Sequence, residues 1–146
     1  MTAYLDTSVL ALVILQDEGW PAMGAWLTAL PNAPTISDFG WGEFVSPVRT
    51  RVRSGRIDTR DGDITLAMAA EIVRDWPRVA ITPTDVEHGT SLLGRFELGL
   101  RLPDALHIAA AHRLGYSLVT TDRRQSAAAA AFSYPVINPL EGSLRP

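Results

Sequence analysis

Lysine and cysteine are both absent from the 146 residues, so all thirteen basic residues are arginine. Without cysteine there is no disulfide framework, no thiol nucleophile and no thiolate metal site. Without lysine there is no Schiff-base chemistry and no phosphate loop of the lysine-dependent kind. A surplus of charge is lacking as well. Sixteen acids against thirteen arginines leave −3, which is no footprint for nucleic acid unless a local patch supplies one. Nor is there a long apolar run: Val9 to Leu15 spans seven residues, far short of the ~20 that a membrane span requires. Asp6 precedes that run and no basic segment does, so it is not read as a secretion signal. The expectation is a soluble, cytoplasmic protein with no membrane partner.

What is present has a globular balance, 47% apolar and 20% charged. The length suits one domain, residues 1–146, with enough core to fold unaided. Ala3-Tyr4-Leu5 reads as a buried strand, and Asp6-Thr7-Ser8 can cap a helix through Leu15. Trp20 to Leu30 reads as a second helix, with Pro21 in its first turn and Pro31 beyond its end. Thr35-Ile36 is a minimal strand. Ser37 or Asp38 then caps a helix whose Trp41, Phe44, Val48 and Val52 form one stripe ended by Gly55. Asp58 caps the next, with Ile64, Met68, Ile72 and Val73 expected to face inward and Pro77 closing it. Val79 to Ile81 is a strand, and Thr84 begins a helix to about Leu98. Pro103 stands in the first turn of a helix from Asp104 to Leu114, stopped by Gly115. Tyr116 to Thr120 and Val136-Ile137 complete the strands, and Ala127 to Ala131 is a short helix. Short apolar strands alternating with helices predict an α/β fold whose parallel sheet is covered on both faces. Such a sheet binds ligands at the carboxyl ends of its strands.

Four carboxylates stand where that site would form. Leu5 runs into Asp6 and Val119-Thr120-Thr121 into Asp122, while Asp104 opens a helix right after Pro103. Each has a plainer reading, as a helix cap, a dipole partner or a turn residue. Glu43 is harder to read that way, because it sits among Trp41, Phe44 and Val45. A carboxylate in apolar surroundings costs energy unless it is paired or holds a cation. No arginine lies close to Glu43 in sequence, so a cation is the economical partner. Oxygen donors without cysteine suit Mg2+ or Mn2+ rather than Zn2+. Four such residues are more telling than any one, yet spacing does not by itself bring them together.

Tyr4-Leu5-Asp6-Thr7-Ser8, the Glu43 helix with its arginine-rich end, Leu102-Pro103-Asp104-Ala105-Leu106-His107-Ile108-Ala109-Ala110 and Leu118-Val119-Thr120-Thr121-Asp122 follow one another in a telling order. From about Ala3 to Asn138 the chain resembles a PIN domain, specifically a VapC-type toxin of a type II toxin–antitoxin pair. The resemblance implies a PIN-like three-layer sandwich, a short parallel sheet of roughly four to five strands flanked by about seven helices. It implies that Asp6, Glu43, Asp104 and Asp122 form the metal-binding catalytic cluster of a Mg2+-dependent endoribonuclease, with Mn2+ as a substitute. Ser8 and Thr120 would be their polar support, and hydrolysis would leave 5′-phosphate and 3′-hydroxyl ends on a transfer or ribosomal RNA. A cognate antitoxin would lie in a groove among the early helices, where Met23, Trp26 and Leu27 are candidates. A homodimer and a toxin–antitoxin hetero-oligomer are implied too. The chain departs from the family in two ways: Arg123-Arg124-Gln125-Ser126 follows the last acid where an aromatic is common, and no further acid follows Asp122. The second departure puts a second metal ion in doubt.

Phosphodiester hydrolysis needs an in-line nucleophile and neutralisation of charge at phosphorus, and divalent ions supply both. The three histidines, at 88, 107 and 112, give no comparable pattern for a histidine-pair mechanism. His107, three residues after Asp104, is expected to be structural or to support the acids, and His112 to lie at the surface. Four acids packed together without a counter-ion are expected to raise one another's pKa. For RNA phosphates, Arg123 and Arg124 beside Asp122 are the first candidates. The stripe Arg49, Arg53 and Arg56, flanked by Arg51, is the second, against a plain reading as helix C-terminal cations. A haloacid-dehalogenase-type phosphatase starting from Asp6 would need an acid where Ser8 stands, and a lysine. A non-catalytic PIN-like module that binds RNA or a partner protein is the other alternative, and the presence of all four acids argues against it.

Overall fold

A computed structural model describes residues 2–141; the expected domain over 1–146 therefore has Met1 and residues 142–146 outside the described part. The chain runs β1 (Ala3–Leu5), α1 (Thr7–Leu15), α2 (Trp20–Thr28), β2 (Ile36–Ser37), α3 (Asp38–Arg53), α4 (Thr59–Ile72) and β3 (Arg78–Val79). It continues through α5 (Pro83–Leu92), a 3-10 turn at Phe96–Leu98, α6 (Leu102–Leu114), β4 (Ser117–Val119), α7 (Arg123–Ala131) and β5 (Val136–Ile137).

Three strands form one parallel sheet in the order β1-β4-β5, with Ala3 opposite Ser117 and Leu5 opposite Val119. β2 and β3 pair separately, also parallel. A bridge between Tyr4 and Thr35 joins the two sheets, where Leu5 N–H donates to the Thr35 carbonyl and Thr35 N–H to that of Ala3, each at 2.8 Å. The result is a short parallel platform with helices on both sides, as expected. Its pleat divides the core. Ala3, Leu5 and Val119 pack with Val9, Met23, Phe44 and Val48 on one face. Tyr4 and Leu118 pack with Ile108, Ala110 and Ala129 on the other, as the two-residue period of a strand requires.

Helix starts follow the polar residues at the strand ends. Asp6, Ser37, Asp58 and Asp122 each accept backbone N–H groups as N-caps of α1, α3, α4 and α7, and Thr82 with Asp85 forms a capping box on α5. Gly115 ends α6 with φ +67°, a left-handed conformation that costs glycine little. α5 packs closely on α6 because residue 89 is glycine: a Cβ there would lie 3.3 Å from the backbone of Ala105.

One helix faces differently from expectation. Ile64, Met68 and Ile72 of α4 are 47%, 53% and 40% exposed, whereas Gly62, Ala69 and Val73 are buried. The helix carries two stripes at helical spacing, and the smaller one is inside. Gly62 explains the choice: a Cβ at that position would collide with Val52 of α3. The two helices therefore approach through small residues and leave the larger stripe uncovered. α5 is also shorter than expected, ending at Leu92, and α7 begins at Arg123 rather than Ala127 because Asp122 caps it. Among the described residues no helix is long and apolar enough to cross a membrane.

Candidate active site

Asp6 leaves the carboxyl end of β1 and is buried. Its Oδ1 accepts from Ser8 N–H at 3.0 Å and from the Ser8 hydroxyl at 2.6 Å. Its Oδ2 accepts from the Thr120 hydroxyl at 2.8 Å. Thr120, just past β4, in turn accepts the Asp122 N–H at 3.0 Å. Ser8 Oγ also receives Thr121 N–H and Thr121 Oγ1, at 3.0 and 2.9 Å. Adjacent parallel strands thus deliver Asp6 and Asp122 to one edge, with the Ser8 and Thr120 hydroxyls between them. Asp122 spends Oδ1 on the N–H groups of Arg124 and Gln125.

Glu43 lies in the second turn of α3. Its Oε2 receives the Thr7 hydroxyl and His107 Nε2, each at 2.7 Å. The sequence points to a cation as its partner; the structure places an imidazole from α6 on Oε2. Burial raises the carboxyl pKa of Glu43, but the hydrogen bonds from His107 and Thr7 outweigh it and hold the group below its ordinary value. Asp6 goes the other way. Its burial raises the pKa, and the opposing influence of His107, Ser8 and Thr120 is too small to reverse this. Asp6 and Glu43 are therefore moved in opposite directions by their surroundings, which corrects the expectation from sequence for this pair.

Asp104 stands in the first turn of α6, where Oδ2 accepts from Arg101 N–H at 3.2 Å and Arg101 Nε at 3.3 Å. Its backbone carbonyl accepts from Gln125 Nε2 of α7 at 3.2 Å. Hydrogen bonds thus connect all four acids to one edge: Asp6 and Asp122 through Thr120, Asp104 to the Asp122 helix through Gln125, and Glu43 to the Asp104 helix through His107. Among the described residues, no three His, Asp or Glu side chains stand together around one ion position.

The donor set nonetheless fits a hard cation. It is all oxygen, it contains a buried carboxylate, and Glu43 Oε1, Asp104 Oδ1 and Asp122 Oδ2 have no hydrogen-bond partner among the described residues. None of those three oxygens is shut away from solvent; the orphaned buried side-chain atom among the described residues is Gln125 Oε1. Hard oxygen donors with room for water are the ligands that Mg2+ and Mn2+ take.

Arg123 and Arg124 are exposed at the start of α7, and Arg124 Nη1 reaches the Gly99 carbonyl at 3.4 Å. Arg53 is exposed, whereas Arg49 pairs with Asp63 at 2.7 Å. Of the groove candidates, Met23 is fully buried and belongs to the core. Leu27 does line a groove, of about 390 Å3, together with Val13, Gly24, Ile72 and Trp76. Sequence reasoning missed Thr7, Arg101 and Gln125. Only a signal of chain proximity could have found them, since each acts on a residue from another element or at the edge of its own.

A family model described as the PIN domain matches residues 3–131. Among solved structures, a toxin–antitoxin complex from Klebsiella pneumoniae is 20% identical with a TM-score of 0.69, over 94% of this chain and 98% of that one. VapC20 of Mycobacterium tuberculosis, a toxin that cleaves the sarcin–ricin loop, is 21% identical with a TM-score of 0.70, over 87% and 95%. The FitAcB structure from Neisseria gonorrhoeae is 17% identical with a TM-score of 0.74, over 94% and 98%. No curated protein matches the sequence at a significant level.

Proposed function

This chain belongs to the PIN domain family, and we propose that it is a Mg2+-dependent endoribonuclease acting as the toxin of a toxin–antitoxin pair. The observation that carries the reading is the shared edge. Asp6 and Asp122 leave neighbouring parallel strands and meet at the Thr120 hydroxyl, while Glu43 and Asp104 are tied to the same edge by His107 and Gln125. Asp6, Glu43, Asp104 and Asp122 would hold the ion, with Mn2+ able to replace Mg2+. When bound, such an ion supplies an activated water and neutralises charge on the phosphate. Ser8 and Thr120 fix the Asp6 oxygens, which keeps a buried anion satisfied. Arg123 and Arg124, exposed next to Asp122, position the RNA phosphates in bidentate fashion. Arg53 offers a second contact, and Arg49 the same once released from Asp63. Water is the nucleophile, leaving 5′-phosphate and 3′-hydroxyl ends, and the substrate is a transfer or ribosomal RNA in the cytoplasm.

The antitoxin partner fits the apolar groove by Leu27 and Trp76 together with the uncovered Ile64, Met68 and Ile72 of α4. An apolar surface of that kind, rimmed by polar residues, marks a protein interface. Assembly as a homodimer within a larger toxin–antitoxin oligomer completes the reading.

One finding favours the second reading, a non-catalytic module that binds RNA or a protein: the acids do not stand as a ready three-ligand cage. Incubating the purified chain with total RNA separates the two. A nuclease cuts in Mg2+ or Mn2+, stops in a chelator, and loses activity in Asp6→Ala and Asp104→Asn while those variants stay folded. RNA retention without any cleavage under these conditions would establish the module instead.

A further inference from the structure

His107 is 3% exposed and is not one of the four acids, yet it and Thr7 each reach Glu43 Oε2 at 2.7 Å. A carboxylate only accepts, so the imidazole Nε2–H donates to Glu43 Oε2, at 2.7 Å. On the other side of the ring, Nδ1 lies 2.9 Å from the Tyr4 hydroxyl. Tyr4 donates to Ser37 Oγ at 2.9 Å, and Ser37 Oγ accepts the Gly40 N–H that it caps, also at 2.9 Å. The ring thus has a polar neighbour at each nitrogen, Tyr4 of β1 on one side and Glu43 on the other; with the Tyr4 hydrogen spent on Ser37, the Nδ1 contact is a hydrogen bond when Nδ1 carries a proton and donates to the Tyr4 oxygen.

The packing around it is equally specific. Tyr4 and Phe39 flank the ring at centroid distances of 5.8 and 5.6 Å. A Cβ at Gly40 would lie 3.1 Å from His107 Cε1, so the first turn of α3 is shaped to admit an imidazole. Both donors to Glu43, His107 Nε2 and Thr7 Oγ1, use the same oxygen. Oε1 has no hydrogen-bond partner among the described residues.

From this geometry we propose that His107 is a positioning residue: it turns Glu43 so that Oε1 is held ready for the ion, and α6 thereby sets both Asp104 and Glu43. The inference rests on the metal-nuclease reading above. Asp104 and His107 are three residues apart and share one helical face, so the spacing between the two acids follows from one rigid element. Partners that orient metal-ligating side chains in this way change metal affinity about 10–100-fold when removed.

The test is calorimetric titration of the full chain with Mn2+, paired with melting in the absence of metal and with cleavage at varied Mn2+. His107→Leu is expected to weaken Mn2+ binding about 10–100-fold and to raise the Mn2+ needed for half-maximal cleavage equally. His107→Gln, which offers an amide N–H in place of Nε2–H, is expected to restore affinity to within about threefold of the native chain. A histidine that served the core alone would lower the melting point and leave Mn2+ affinity of the folded protein untouched. That result overturns the proposal. A native chain that binds no Mn2+ overturns the metal reading and this inference together. Should the leucine variant not fold, the native chain decides: the 15N resonance of His107 Nε2 moves on saturation with Mg2+ if the ring steers a ligand, and a resonance that stays put refutes it.

Discussion

The hydroxyl of Thr120 donates to Oδ2 of Asp6 across 2.8 Å and so closes the gap between the ends of β1 and β4. Because the same oxygen accepts the Asp122 N–H, one side chain fixes the orientation of a buried carboxylate and the backbone of the next acid. Parallel pairing brings the strand ends together; Thr120 converts that into a fixed relation between functional groups.

Thr120→Val keeps the shape and removes the hydroxyl. Asp6 loses a donor and the Asp122 N–H loses its acceptor, in a place with no exposure. Each unsatisfied buried polar group costs about 1–3 kcal/mol, so a drop in that range or somewhat above it is expected in urea denaturation. RNA cleavage should fall as well, and Thr120→Ser should recover most of both. A valine variant as stable and active as the native chain would show that the bridge is incidental.

The split between Asp6 on one side and Glu43 and Asp85 on the other shapes the pH dependence of the metal-free chain. Burial raises the Asp6 pKa; its contribution to stability is present below the ordinary value of 3.8 and is lost as pH rises through the raised native value. Glu43 and Asp85 are lowered, the first by His107 and Thr7 against burial, the second by Arg113 and Thr82 against burial. Their contributions are present above their ordinary values and are lost as pH falls through the lowered ones. In chelator, stability should therefore peak on the acid side of neutrality and decline toward neutral pH. Asp6→Asn removes that decline, retains a capping oxygen and abolishes metal binding. A wild-type profile that climbs steadily from mildly acidic to neutral pH would contradict the assignment of Asp6.

The strands and the helix caps, Asp6 and Asp122 among them, were legible in the sequence because each depends on local rules. A short apolar run, a polar residue at its end and an apolar stripe behind it identify β1, Asp6 and α1 without reference to the rest of the chain. Relations between elements were not legible in the same way. Glu43 and His107 are 64 positions apart, and nothing local to either announces the hydrogen bond between them. On α4, two stripes have equal periodicity, and Gly62 decides between them only because Val52 happens to stand opposite. Gln125 reads as a departure from an aromatic position, and nothing local announces that it reaches Asp104.

Asp85 provides a stability test remote from the proposed ion. It is 1% exposed and accepts Arg113 Nε at 2.8 Å and Nη2 at 2.9 Å, one on each oxygen. Removing one partner of such a pair strands a buried charge, at a cost of about 3–5 kcal/mol. Arg113→Met should lower the urea midpoint accordingly and make the chain more sensitive to neutral pH, while RNA cleavage per folded molecule stays unchanged. An unfolding free energy within about 0.5 kcal/mol of the native chain's would mean that Asp85 finds another donor.

Gln125 of α7 is almost wholly buried against α6, where Nε2 reaches the Asp104 carbonyl at 3.2 Å and Oε1 has no partner among the described residues. That carbonyl lies in the first turn of a helix and already accepts from the N–H four residues on, so it does not depend on the glutamine. Methionine has a similar volume and fills irregular space well. Gln125→Met therefore gives up about one net hydrogen bond and removes an orphaned acceptor costing about 1–3 kcal/mol. The expected balance is a gain near 1 kcal/mol, or about 2–4 °C in melting temperature for a domain of this size. A lower melting temperature would show that Oε1 is satisfied in solution by an internal water, and that the glutamine is held there by both ends.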